Sequence, residues 1–134
     1  MAKQSLMDRF GRWIATRITQ ESSGYTPYTP SDVETLRSVL EPGDILLVEG
    51  NRKVSAAIKY LTQSTWSHAA IYVGDRLSVP IDEDVDPHDR PCLIEVNLGE
   101  GCVSRPLSKY ITYNTRICRP VGLTEEDAIR VADY

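Results

Sequence analysis

Three short apolar runs constrain this chain more than any other feature: Ile45-Leu46-Leu47-Val48, Ala69-Ala70-Ile71-Tyr72-Val73 and Leu93-Ile94-Glu95-Val96. They are too short for buried helices, rich in aliphatic and aromatic side chains, and fenced by turn-forming residues, which is the pattern of core strands. Pro42-Gly43-Asp44 turns the chain into the first run, Gly74 closes the second, and Leu98-Gly99-Glu100-Gly101 follows the third. Between the first two, Val54, Ala57, Ile58 and Leu61 recur at helical spacing, so a helix ending near Gln63 separates them. At 134 residues the chain is the size of one ordinary domain.

Other elements follow from local signals. Leu6, Met7, Phe10, Trp13, Ile14 and Ile18 form an apolar stripe with Arg9, Arg12 and Arg17 mostly on the other side, an amphipathic helix expected first to pack on the domain and second to contact a membrane surface. The segment ESSGYTPYTPSD reads as a linker, after which Ser31 or Asp32 caps a short helix running to about Leu40. Asp75 to Arg90 reads as an acidic surface loop, interrupted by Pro80 and Pro87. A short fourth strand is expected at Val103-Ser104-Arg105, one helical turn over Pro106 to Tyr110, and a fifth strand over Tyr113 to Val121. Thr124 caps a last helix whose first turn holds Glu125, Glu126 and Asp127 and which continues to Tyr134.

Charge and cysteine usage narrow the functional classes. The net charge is −4, but residues 1–20 carry Lys3, Arg9, Arg12 and Arg17 against Asp8 alone. The positive residues do not interleave with aromatics along the body, so a nucleic-acid partner is set aside. Cys92, Cys102 and Cys118 are an odd set with no C-x-x-C pair, which suggests neither a disulfide framework nor a zinc knuckle and fits a reducing compartment. Charges at positions 3, 8, 9 and 12 leave no apolar core for a secretory signal. The expectation is a cytoplasmic protein, at most peripheral to the inner face of a membrane.

The chemistry-bearing residues are His68 and Glu95. His68 opens an apolar strand beside Trp66 and Ser67, at a rim where an imidazole can meet other groups and transfer protons near neutral pH. Glu95 lies inside LIEVN, where an ionised carboxylate is costly to bury without a partner, and an imidazole is one of few partners that would hold it charged. In such a pair the carboxylate fixes the ring's tautomer and orientation while the second ring nitrogen serves a nucleophile, for which a thiol is the natural choice.

With Gly43-Asp44-Ile45-Leu46-Leu47, the helix after it, Trp66-Ser67-His68-Ala69-Ala70-Ile71-Tyr72-Val73-Gly74 and Leu93-Ile94-Glu95-Val96, the chain resembles the permuted papain-fold, NlpC-like cysteine hydrolases of the YaeF/YiiX group over roughly residues 40–121. The resemblance implies an α+β fold with a small antiparallel, barrel-like sheet and packed helices. The linker divides the chain into an N-terminal helix and linker over 1–30 and a body over 31–134, which the resemblance makes the hydrolase domain. The resemblance makes His68 the general base and Glu95 its orienting residue in a Cys-His-Glu amidase or peptidase without cofactor or metal. The implied substrate is a small-molecule, peptide or lipid-linked amide. In that family order the cysteine comes last and opens a helix, so the nucleophile is expected beyond Tyr134, in a domain incomplete at its C-terminus. The lecithin:retinol acyltransferase-like families are similar in order and in the histidine motif, and imply a phospholipid-type acyltransferase or acylhydrolase as the alternative, but with a second histidine where Glu95 stands. A non-catalytic binding module is the third expectation.

Other candidates carry less. Cys92 is three residues from Glu95 on one strand, so alternation sends the two to opposite faces; Cys102 follows a glycine turn, and Cys118 shares a face with Arg116. None of them opens a helix. Asp82, Asp84 and Asp86 alternate like a calcium loop, but Pro87 stands where that loop needs glycine, and His88 lacks a second metal ligand at helical or hairpin spacing. Asp44 reads as a turn residue bonding its own backbone.

Overall fold

The computed structural model describes residues 6–18, 20, 26–27, 32–77 and 84–133. Among these the architecture is α+β, with helices α1 (Leu6–Ile18), α2 (Val33–Val39), α3 (Lys53–Thr62) and α4 (Glu125–Asp133), and strands β1 (Ile45–Val48), β2 (His68–Tyr72), β3 (Leu93–Asn97), β4 (Gly101–Arg105) and β5 (Thr115–Cys118). Most of the linker, with Ser31, and part of the acidic loop, with Asp82, lie outside the described residues.

The strands form one antiparallel sheet in the order β4-β3-β2-β1-β5. The sheet does not close into a barrel as expected: β4 and β5 are its opposite edges and do not pair with each other. Register places Leu46 beside Ala70 and Ile117, Ala70 beside Glu95, and Tyr72 beside Leu93. Period-two alternation therefore gathers Leu46, Val48, Ala70, Tyr72 and Leu93 on one face, where they pack with Leu36 and Leu40 around α2 and with Leu107 and Tyr110 of a 3-10 turn. Leu46 and Leu93 are fully buried, each contributing about 1.5–3 kcal/mol on leaving water.

Local chemistry fixes the joints. Asp32 caps α2, its Oδ1 accepting from the Thr35 N–H at 2.8 Å. Gly43 takes φ +93° in the turn before β1, and a Cβ there would come within 3.1 Å of Ala128 Cβ on α4, so both conformation and space call for glycine. Gln63 ends α3 in the left-handed region, its N–H bonding the Lys59 carbonyl. The fifth strand is shorter than expected, pairing only over Thr115–Cys118, and the acidic loop carries two 3-10 turns, Gly74–Arg76 and Pro87–Asp89.

Helix α1 forms over the expected residues, but the first expectation for its stripe fails: no α1 residue is buried, and Leu6 is 83% exposed. No helix among the described residues is long and apolar enough to cross a membrane.

Candidate functional site

The β2–β3 register brings the two predicted residues together. Ala70 stands directly opposite Glu95, so His68, two residues earlier on the same face, is the diagonal neighbour of Glu95, a separation long side chains bridge. His68 Nε2 lies 3.1 Å from Glu95 Oε2.

Glu95 has a side chain with no exposed surface, yet every acceptor site on it is used. Its Oε2 faces His68 Nε2 and accepts from the Tyr110 hydroxyl; its Oε1 accepts from Lys109 Nζ and from Asn97 Nδ2, the latter at 2.6 Å. Arg105 Nε stands 3.7 Å from Oε1. Burial works against the charge on Glu95, but hydrogen bonds from His68, Lys109, Tyr110 and Asn97 outweigh it and hold the carboxyl far below the usual range. Burial, and then the bond to Glu95, raises Tyr110 well above an ordinary phenol, so Tyr110 acts as a fixed donor. An ionised Glu95 can only accept, so the proton between the pair sits on Nε2, and a neutral His68 presents a lone pair at Nδ1.

Sequence reasoning found His68 and Glu95 and missed Asn97, Lys109 and Tyr110. Asn97 was legible, because it lies two residues after Glu95 and shares its face. Lys109 and Tyr110 were not, because the 3-10 turn Leu107–Tyr110 reaches Glu95 only through the tertiary fold.

Beside the pair is a cleft of about 390 Å³ between α3, the end of β3 and the 3-10 turn, with His68, Ser55, Arg52, Lys109, Leu98 and Tyr113 among its walls. The Tyr110 ring packs against His68 at 6.1 Å between centroids and edge-on to Tyr113 at 5.9 Å. At the cleft floor Gly50 donates its N–H to Ser67 Oγ at 3.0 Å, and a Cβ on Gly50 would fall 2.3 Å from Ser55 Oγ. Helix α3 starts at the cleft without a side-chain cap. The Lys53 N–H is taken by the Gln20 carbonyl and the Ala56 N–H by the Arg52 carbonyl, which leaves the N–H groups of Val54 and Ser55 unpartnered among the described residues.

None of the three thiols adjoins His68. Cys92 does not take the face opposite Glu95 as expected: it precedes β3, so strand alternation does not govern it, and it is buried in the same core cluster as Leu93, Leu107 and Tyr110; Leu93 pairs with Tyr72 at the opposite end of β2 from His68, and burial raises the Cys92 pKa. Cys102 is exposed on edge strand β4 opposite Val96. Cys118 pairs with Ile45, whereas His68 pairs with Val48 at the other end of β1. Both Cys102 and Cys118 therefore lie on the sheet face away from the pair.

Asp44 does bond its own turn, accepting from the Glu41 N–H at 2.8 Å, but it also binds Arg119 through Nε at 2.9 Å and Nη2 at 2.8 Å. That Arg119 clamp, extended to Glu41 and the Val39 carbonyl, was invisible in the sequence and ties the end of β5 to the turn before β1. In the acidic loop Asp86 accepts from the His88 N–H, and His88 Nε2 lies 4.0 Å from Glu34 Oε1.

The fold and site together define an α+β protein with an imidazole and a buried, ionised carboxylate at the mouth of a cleft. Comparison with family models, curated proteins and solved structures finds no match.

Proposed function

We propose that the His68–Glu95 pair is the base and orienting half of a thiol-dependent amide hydrolase of the permuted papain-like, NlpC-like kind. The observation that carries this reading is the 3.1 Å contact between a partly exposed imidazole and a carboxylate held ionised with no exposed surface. A structural histidine needs no such investment: four hydrogen-bond donors converge on Glu95 and leave Nδ1 as the ring's remaining nitrogen.

In this reading a thiol from outside the three cysteines of the chain, carried by a helix that follows residue 134, enters the cleft. Nδ1 of His68 takes the thiol proton as the sulfur attacks the amide carbonyl carbon. The imidazolium formed is stabilised by Glu95, and the unpartnered N–H groups of Val54 and Ser55 offer donors for the carbonyl oxygen as it becomes negative. The proton then passes from His68 to the leaving amine; water, deprotonated by His68, next attacks the thioester carbon, the C–S bond breaks to release the acid, and His68 returns the proton to the departing thiolate. Apolar and cationic residues share the cleft walls, which suits an acyl group with a polar or anionic neighbour.

The test is turnover of amide and ester substrates by the product of the complete open reading frame. His68→Ala should lower kcat/KM by about 100-fold or more, the usual worth of a general base. Activity equal to the parent, in a variant that still folds, rejects the proposal. The position of the three cysteines favours a second reading, a binding module that uses the cleft only to hold a ligand. An open-reading-frame product that shows no turnover and no thiol reacting faster than free cysteine at neutral pH supports that reading instead.

A further inference from the structure

We propose that α1 is a docking helix for an anionic lipid bilayer, and that it holds the His68 cleft at the membrane surface. The inference stands whether or not His68 acts as a base.

Leu6, Phe10, Trp13 and Ile14 fall within an arc of about 100° on α1. They are 83%, 58%, 56% and 38% exposed, an apolar stripe about 12 Å long that no other described part of the chain covers. Charge says what covers it. Four basic residues stand against one acid within residues 1–20, while the rest of the chain holds eleven basic residues against eighteen acidic ones. A negative surface therefore attracts α1 and repels the body, which selects the helix as the contact and orients the protein on it. Arg9 and Arg12 flank the stripe on one side. Arg17, four residues after Trp13 and so on the stripe's own face rather than the other side, holds its guanidinium 5.4 Å from the Trp13 ring centroid in the last turn, a cation beside an indole suited to an anionic interface. A second copy of this acidic chain offers no comparable attraction.

The chain also connects this helix to the site. Gln20, two residues past α1, accepts the Lys53 N–H at its carbonyl and Lys53 Nζ at its side chain, both at 3.0 Å. Lys53 opens α3, and its neighbours Arg52 and Val54 line the cleft. A bilayer-bound α1 is thereby tied to the cleft wall.

The experiment is co-sedimentation of the 134-residue chain with vesicles of equal parts phosphatidylglycerol and phosphatidylcholine, and with pure phosphatidylcholine, while Trp fluorescence is followed. Binding to the anionic vesicles with a blue-shifted emission, weak binding to the neutral ones, and release by high salt are expected. Arg9→Gln with Arg12→Gln should weaken partition about thirtyfold. Phe10→Ser with Trp13→Ser should abolish it while leaving the far-ultraviolet circular dichroism and the thermal midpoint of the body unchanged, since none of these side chains is buried. Equal affinity for both vesicles, or full binding by the Phe10/Trp13 variant, overturns the proposal. So does a chain that ignores vesicles but dimerises through Phe10 and Trp13.

Discussion

Replacing Glu95 by Gln preserves the shape of the buried side chain and removes its charge, which isolates the electrostatic work done at the centre of the site. In the parent, Lys109, Asn97, Tyr110 and His68 all direct donors at this carboxylate. An amide keeps one oxygen and puts an N–H₂ where a donor already points. Breaking a buried pair from one side costs about 3–5 kcal/mol, and Lys109, 32% exposed, recovers part of that by turning to water, so a loss of about 3 kcal/mol is expected. With a urea dependence of about 1.5 kcal/mol per molar, the unfolding midpoint should fall by about 2 M. Adding Lys109→Met to each background should give a coupling of at least about 1 kcal/mol, because the lysine loses its partner in one background and not the other. The pH profile has a definite sign. Folding lowers the Glu95 pKa below its ordinary 4.5, so its contribution is complete above that value and is lost as pH falls below it; the Gln variant should show a flatter acid limb. A midpoint shift below about 0.3 M with no Lys109 coupling would refute the claim that a buried ion network organises this site.

Two further outcomes follow from neighbouring parts of the structure. Asp44→Asn should destabilise the chain by about 2–4 kcal/mol in urea, because it weakens the Arg119 clamp at a buried carboxylate; the same change at exposed Asp84 should cost under about 0.5 kcal/mol. In thiol titration with an aromatic disulfide, Cys102 should react in the native state and Cys92 only on unfolding, since Cys102 is exposed and burial both hides Cys92 and raises its pKa. Equal native-state rates for the two would contradict the packing of β3.

The strands, their alternation and the cost of an unpaired carboxylate in LIEVN were all readable along the chain, because each depends on neighbours within a few residues. That sufficed to name His68 and Glu95 as partners before any register was known. It did not say whether the sheet closes, since closure depends on which edges meet, and β4 and β5 do not. It also misjudged α1, because amphipathicity says that a face wants cover without saying what supplies it.

What the sequence determined by itself is therefore local: element types, the turn at Pro42-Gly43-Asp44, the cap at Asp32, and the presence of one imidazole and one carboxylate on strands of the core. Tertiary structure alone decided which atoms hold that carboxylate charged. Lys109 and Tyr110 reach Glu95 from fourteen and fifteen residues away through a turn whose placement depends on the packed core, and Arg119 reaches Asp44 across 75 residues. Long-range hydrogen bonds of this kind depend on where the chain returns, and that is fixed by burying the apolar face of the whole sheet at once.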